Sequence, residues 1–115
     1  EKIQDMDLRK MLLELEEKLQ RVYGNKLKAV ILYGSVARGT ATEESDIDIM
    51  VLVDGTAQEL RTFEDQLSDV STDISIKYFK VFSIIDISYQ EYMRWVNTSP
   101  FYRNVSKEGV ILYAA

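Results

Sequence analysis

The sequence predicts a single α/β (α+β) domain, residues 1–115, in which a mixed sheet is flanked by helices. Two observations predict it. The chain has 115 residues, enough for one core and too few for two. Along it, short apolar runs of strand length alternate with longer segments whose apolar residues recur every three or four positions. No repeat, low-complexity tract or linker interrupts this order.

Leu8, Leu12, Leu15, Leu19 and Val22 form a helical stripe, with Glu14, Glu16, Glu17, Lys18 and Arg21 between them. Gly24 and Asn25 supply its stop. Leu27 to Tyr33 contains the unbroken run Ala29-Val30-Ile31-Leu32-Tyr33, the pattern of a buried strand. Gly34-Ser35 follows directly, then a short helix over Val36 to Gly39 and a polar loop from Thr40 to Ser45. Asp46 to Val53 alternates: Ile47, Ile49, Val51 and Val53 on one face, Asp46, Asp48, Met50 and Leu52 on the other. Asp54-Gly55 is a turn. Leu60, Phe63, Leu67 and Val70 mark one amphipathic helix, and Ile74 to Lys80 reads equally as its tail or as a strand. Val81 to Ser88 is a strand. Glu91 to Asn97 is a short helix ended before Pro100, because the residue before a proline is pushed out of helical geometry. Val110 to Tyr113 reads as a last short strand.

Composition limits the chemistry. With no cysteine and no histidine, the chain has no thiolate, no imidazole base and no zinc-type ligand set. Acid–base or metal chemistry must run on carboxylates and hard cations such as magnesium. The net charge of −5, from 19 acidic and 14 basic residues, disfavours an extended nucleic-acid surface. It is compatible with a nucleotide bound through a cation. No apolar run approaches the roughly 20 residues of a membrane span, and no secretory pattern is present. The expected location is the cytoplasm.

The informative stretch runs from Gly34 to Asp48. Gly34-Ser35 lies where a strand ends and a helix begins. Backbone N–H groups there point outward and attract phosphate, and glycine permits close approach. A serine at such a place also reads as an ordinary helix cap. Asp46 and Asp48 are two apart in a strand, so they share a face with Cα atoms roughly 6.6 Å apart. Such a pair can converge on one cation, or on two set for in-line phosphoryl displacement. The competing reading, a solvated outer face, is weakened by Met50 and Leu52 on that same face. Arg38 either touches phosphate or pairs with Glu43 or Glu44. Gly34 and Gly39 do not form a P-loop, since no lysine follows.

Gly34-Ser35, ten intervening residues, then Asp46-x-Asp48 resembles the signature of the DNA polymerase beta-like nucleotidyltransferase superfamily. The strings Leu32-Tyr33-Gly34-Ser35-Val36-Ala37-Arg38-Gly39 and Ser45-Asp46-Ile47-Asp48-Ile49 are similar to its minimal nucleotidyltransferase (MNT) group. So is the ending from Pro100-Phe101-Tyr102-Arg103-Asn104-Val105 through Lys107 to Tyr113. The resemblance implies that Gly34 and Ser35 grip phosphates and that Asp46 and Asp48 hold Mg2+, with two metal ions in the site. It also implies a third carboxylate from a later strand. Asp86, a lone charge in the apolar run Phe82 to Ser88, is the candidate; Asp65 and Asp73 are rivals better explained as surface. The implied activity moves an adenylyl group from ATP to a hydroxyl. The implied acceptor is a HEPN-type toxin neutralised by the modification, since so short a chain needs a partner or a second copy to bind the acceptor. Two alternatives stand beside it: modification of a small molecule such as an aminoglycoside, and an antitoxin that works by contact without catalysis.

Overall fold

Strand alternation decides which helices cover which side of the sheet. The computed structural model describes residues 5–115; the first four residues of the expected domain lie outside the described residues. The elements are α1 (Met6–Tyr23), a 3-10 turn (Gly24–Lys26), β1 (Leu27–Tyr33), α2 (Gly34–Arg38), β2 (Ile47–Val53), α3 (Ala57–Arg61), α4 (Glu64–Tyr78), β3 (Phe82–Ser88), α5 (Tyr89–Trp95), α6 (Pro100–Glu108) and β4 (Val110–Ala114). The sheet has the order β3-β2-β1-β4. β1 is antiparallel to both β2 and β4, and β2 is parallel to β3. The expected mixed sheet flanked by helices is therefore present.

One sheet face carries Val30, Leu32, Ile47, Ile49, Val51, Val53, Phe82 and Ile84 and packs under α1, α3 and α4 through Leu12, Leu15, Leu19, Leu60, Leu67 and Ile74. The other carries Ile31, Met50, Leu52, Ile85 and Ile87 and packs under α5 and α6 through Tyr92, Tyr102 and Val105. β2 is consequently apolar on both sides, which explains why Met50 and Leu52 share a face with Asp48. Leu15 and Leu19 are wholly buried, so truncating either to alanine costs about 2–5 kcal/mol.

The helices depart from the sequence reading in three places. The single helix expected through Leu60 and Val70 is two. α3 starts at a capping box in which Thr56 and Glu59 bond each other's backbone, and it ends where the Thr62 hydroxyl donates to the Glu59 carbonyl at 2.6 Å. The ambiguous segment after Ile74 is helical to Tyr78, with Phe79 closing it in the left-handed region. The short helix expected before Pro100 is present as α5 and ends at Trp95, but Pro100 also opens a further helix, α6, at the first helical position behind the Ser99 cap, where a missing N–H costs nothing. At the other end of α6, a Cβ on Gly109 would lie 2.5 Å from the Val105 carbonyl and 2.6 Å from Ile31, so only glycine lets β4 turn so tightly under β1.

Candidate active site

The strand directions bring several chain segments to one end of the sheet. β1 ends there at Tyr33, β2 begins there, and β3 and β4 both begin there, since Ile47 pairs with Phe82 and Leu32 with Val110. α2 bridges the gap from β1 to the loop before β2. Gly34, Ser35, Arg38, Asp46 and Asp48 therefore gather at a single edge, as the spacing predicts.

α2 begins two residues earlier than expected, at Gly34, with Tyr33 as its cap residue and no side-chain cap. Ser35 lies inside the helix, so capping does not account for its hydroxyl. Its carbonyl accepts from the Thr40 N–H at 3.0 Å, and Gly39 closes the turn in the left-handed conformation. Gly34 has φ +75°, and a Cβ there would sit 2.3 Å from Asp48 Oδ2. The absence of a side chain at Gly34 is what lets the Asp48 carboxylate lie against the start of α2.

Asp48 is half-buried in β2, opposite Tyr33 in the antiparallel ladder. Asp46 is exposed, one residue before the strand rather than within it. Burial raises the Asp48 pKa, the negative charge of Asp46 raises it further, and the positive charge of Arg38 opposes both. Burial and then Asp48 itself push the Tyr33 hydroxyl upward. Arg38 pairs not with Glu43 or Glu44 but with Glu108 of α6, Nη1 to Oε2 at 3.5 Å. The carboxylate pair thus carries uncompensated negative charge beside one arginine and a glycine-opened helix start.

Asp86 does not join this site. In the parallel ladder Asp48 stands beside Ser83, whereas Asp86 stands beside Val51, on the face under α1 and α4. Parity sends its side chain to the opposite side of the sheet, and three residues of strand separate it from the Asp48 level. There it accepts a hydrogen bond from the Tyr23 hydroxyl at 3.0 Å. The lone charge in an apolar strand has a tyrosine as its partner. Among the described residues no group of three or more Asp, Glu, His or Cys is placed to hold a metal ion. The pair Asp46 and Asp48 still suits magnesium, which takes one or two carboxylates and completes its shell from phosphate and water.

Two site features escaped the sequence reading. Glu108 could have been sought only once Pro100 was read as a helix start, and Ser83 only once the β2/β3 register was known. Tyr33 and Phe101 pack edge to face with centroids 5.6 Å apart, and both border the same cavity as Gly34.

Residues 14–115 match the family model described as polymerase beta, nucleotidyltransferase. The chain belongs to the polymerase beta nucleotidyltransferase family. A relative from Methanocaldococcus jannaschii described as a candidate protein adenylyltransferase is 37% identical over 94% of this chain and 100% of its own length. A second of the same description and organism is 32% identical over 64% of this chain and 72% of its own. Among solved structures, a toxin–antitoxin pair with AMP-PNP is similar with TM-score 0.58 and 19% identity, covering 93% of this chain and 73% of the other. A candidate nucleotidyltransferase from Sulfolobus solfataricus gives TM-score 0.52 and 22% identity, over 95% and 86%. These two likenesses show the shared nucleotidyltransferase fold. No helix among the described residues is long and apolar enough to cross a membrane.

Proposed function

We propose that this domain is a magnesium-dependent adenylyltransferase that moves AMP from ATP to a hydroxyl on a partner protein, a HEPN-type toxin. The observation that carries this reading is the contact between Gly34 and Asp48. It sets a carboxylate pair against a phosphate-accepting turn at one end of the sheet. Gly34 and Ser35 hold the outer phosphates, and Arg38 offsets their charge. Asp46 and Asp48 would hold magnesium, with triphosphate oxygens among the remaining ligands. Among the described residues no third carboxylate is grouped with this pair to hold a second ion. The metal would withdraw charge from the phosphate oxygens as it builds. The acceptor hydroxyl oxygen attacks the α-phosphorus in line, the bond to the β-bridging oxygen breaks, and pyrophosphate leaves with that electron pair. The hydroxyl proton passes to solvent. The protein acceptor is favoured by the names of the relatives, candidate protein adenylyltransferases, and by the neighbouring toxin–antitoxin structures.

A second reading, neutralisation of a partner by contact alone, is favoured by one observation: Asp86 is turned away from the site. One experiment separates the two. The protein is incubated with magnesium, α-labelled ATP and an extract of its host, beside an Asp46→Ala, Asp48→Ala variant. A labelled protein band made only by the wild type is expected, with loss on the order of 10³-fold or more in the variant. Label in a small molecule would transfer the proposal to a small-molecule acceptor. No transfer by a folded protein would leave the contact reading in its place.

A further inference from the structure

Between the start of α2 and the α2-facing side of α6 lies a cavity of about 220 Å³. Tyr33 and Gly34 form one wall, and Phe101, Asn104 and Glu108 the other, with Arg38 at the rim. We propose that this cavity takes the base of the nucleotide, stacked on Phe101 with Tyr33 edge-on beside it; the proposal rests on the nucleotidyl-transfer reading of the adjoining carboxylate site.

Gly34 is shared: its backbone opens the phosphate turn on one side and lines the cavity on the other. Tyr33 lies in the same strand pair as Asp48, directly opposite it, so the cavity and the carboxylates lie on one side of the sheet. Arg38, at the cavity rim, is close enough to lower the Asp48 pKa by its charge, so the cavity adjoins the carboxylate site.

Phe101 is 44% exposed although it packs edge to face on Tyr33, so an aromatic face is left open toward the cavity mouth. A base has a flat π-face that stacks on such a ring whatever its edge pattern. The exposed Asn104 amide and Glu108 carboxylate supply both a donor and acceptors for base edges. The volume is below the roughly 300–1,000 Å³ of pockets that enclose a whole drug-sized ligand. That suits a base whose phosphates remain outside.

The competing cavity does not suit a nucleotide. It measures about 290 Å³ and lies by the far half of β3, where Glu64, Asp86 and Glu91 line it against the single cation Arg61. Three carboxylates there repel a triphosphate, and neither Gly34 nor Arg38 borders it.

The arrangement also gives the Arg38–Glu108 pair a place in binding. Both side chains are about half exposed, so the pair is weak and yields readily. A triphosphate draws Arg38 off, which leaves Glu108 free at the cavity rim.

The test compares two ligands that share phosphates and differ in the base. Titration calorimetry measures Mg·ATP and Mg·tripolyphosphate binding to the wild type, Phe101→Ala, Asn104→Ala and Asp46→Ala, Asp48→Ala, with folding checked by circular dichroism. Phe101→Ala is expected to weaken ATP on the order of tenfold, the loss of one stacked base, and to leave tripolyphosphate within twofold. Asn104→Ala is expected to weaken ATP more than tripolyphosphate as well. Unchanged ATP affinity in Phe101→Ala, or equal weakening of both ligands, overturns the base site while the phosphate site stands. Binding of neither ligand by the wild type, or binding indifferent to the aspartate variant, overturns the underlying reading and the base site with it.

Discussion

At Asp48 the fold works against the side chain's own charge. Burial and the neighbouring Asp46 both favour the protonated form, and Arg38 compensates only in part. The folded protein therefore binds this proton more tightly than the unfolded chain does. Any stability tied to it is complete below the ordinary carboxylate range and is lost as pH rises through the raised pKa. At neutral pH without metal, the ionised Asp48 is a net cost that folding bears for the sake of the site. Asp48→Asn keeps the shape against Gly34 and removes the charge. In metal-free buffer at pH 7 this variant is expected to melt higher than the wild type while losing nucleotidyl transfer. A lower melting temperature would mean that the carboxylate makes stabilising contacts that outweigh its repulsion. Trading stability for activity at such a position is the common pattern of active sites.

Among elements, the link between α1 and β3 decides what Asp86 is for. Tyr23 is the last residue of α1, one helical step beyond Leu15 and Leu19, and it is buried. Its hydroxyl reaches Asp86, and burial together with that carboxylate holds the hydroxyl strongly in its protonated, donating form. Tyr23→Phe removes the donor and leaves a half-buried carboxylate without it, at a cost of about 1–2 kcal/mol in urea or thermal unfolding. Asp86→Asn retains an acceptor oxygen and is expected to fold and transfer label as the wild type does. Loss of transfer in Asp86→Asn at unchanged stability would return Asp86 to the chemistry. The same residue shows where sequence reading stops. A charge in an apolar strand must find a partner, but β3 has apolar residues on both faces, Phe82 and Ile84 on one and Ile85 and Ile87 on the other. Only the register against β2 says which face Asp86 shares, and register is a property of the folded sheet. The Asp46-x-Asp48 pair is legible because its relation is local, two residues apart at the entrance of one strand. α6 was hidden by a different cause: Pro100 was taken as a terminator, although Ser99-Pro100 with Gly109 nine residues later is also how a helix is opened and closed.

For the whole molecule, the topology makes binding and folding one equilibrium. The Gly34-Ser35 turn, the carboxylate pair and the α6 wall come from separated stretches of chain and meet only when β1 has paired with β2 and β4. The unfolded chain has no such site, so a ligand bound there stabilises by RT ln(1 + [L]/Kd), about 2.7 kcal/mol at a hundredfold excess over Kd. Unfolding entropy near the melting point is about 2.1 cal/mol/K per residue. For 115 residues that is about 0.24 kcal/mol/K, and the expected rise in Tm is about 11 °C. With magnesium and ATP together the wild type should show that shift. Chelation of the metal by EDTA should remove most of it, because two like charges and a triphosphate then face each other without a cation. The Asp46→Ala, Asp48→Ala variant should show little shift under either condition. A shift of equal size with and without magnesium would place the triphosphate somewhere other than the carboxylate end of the sheet.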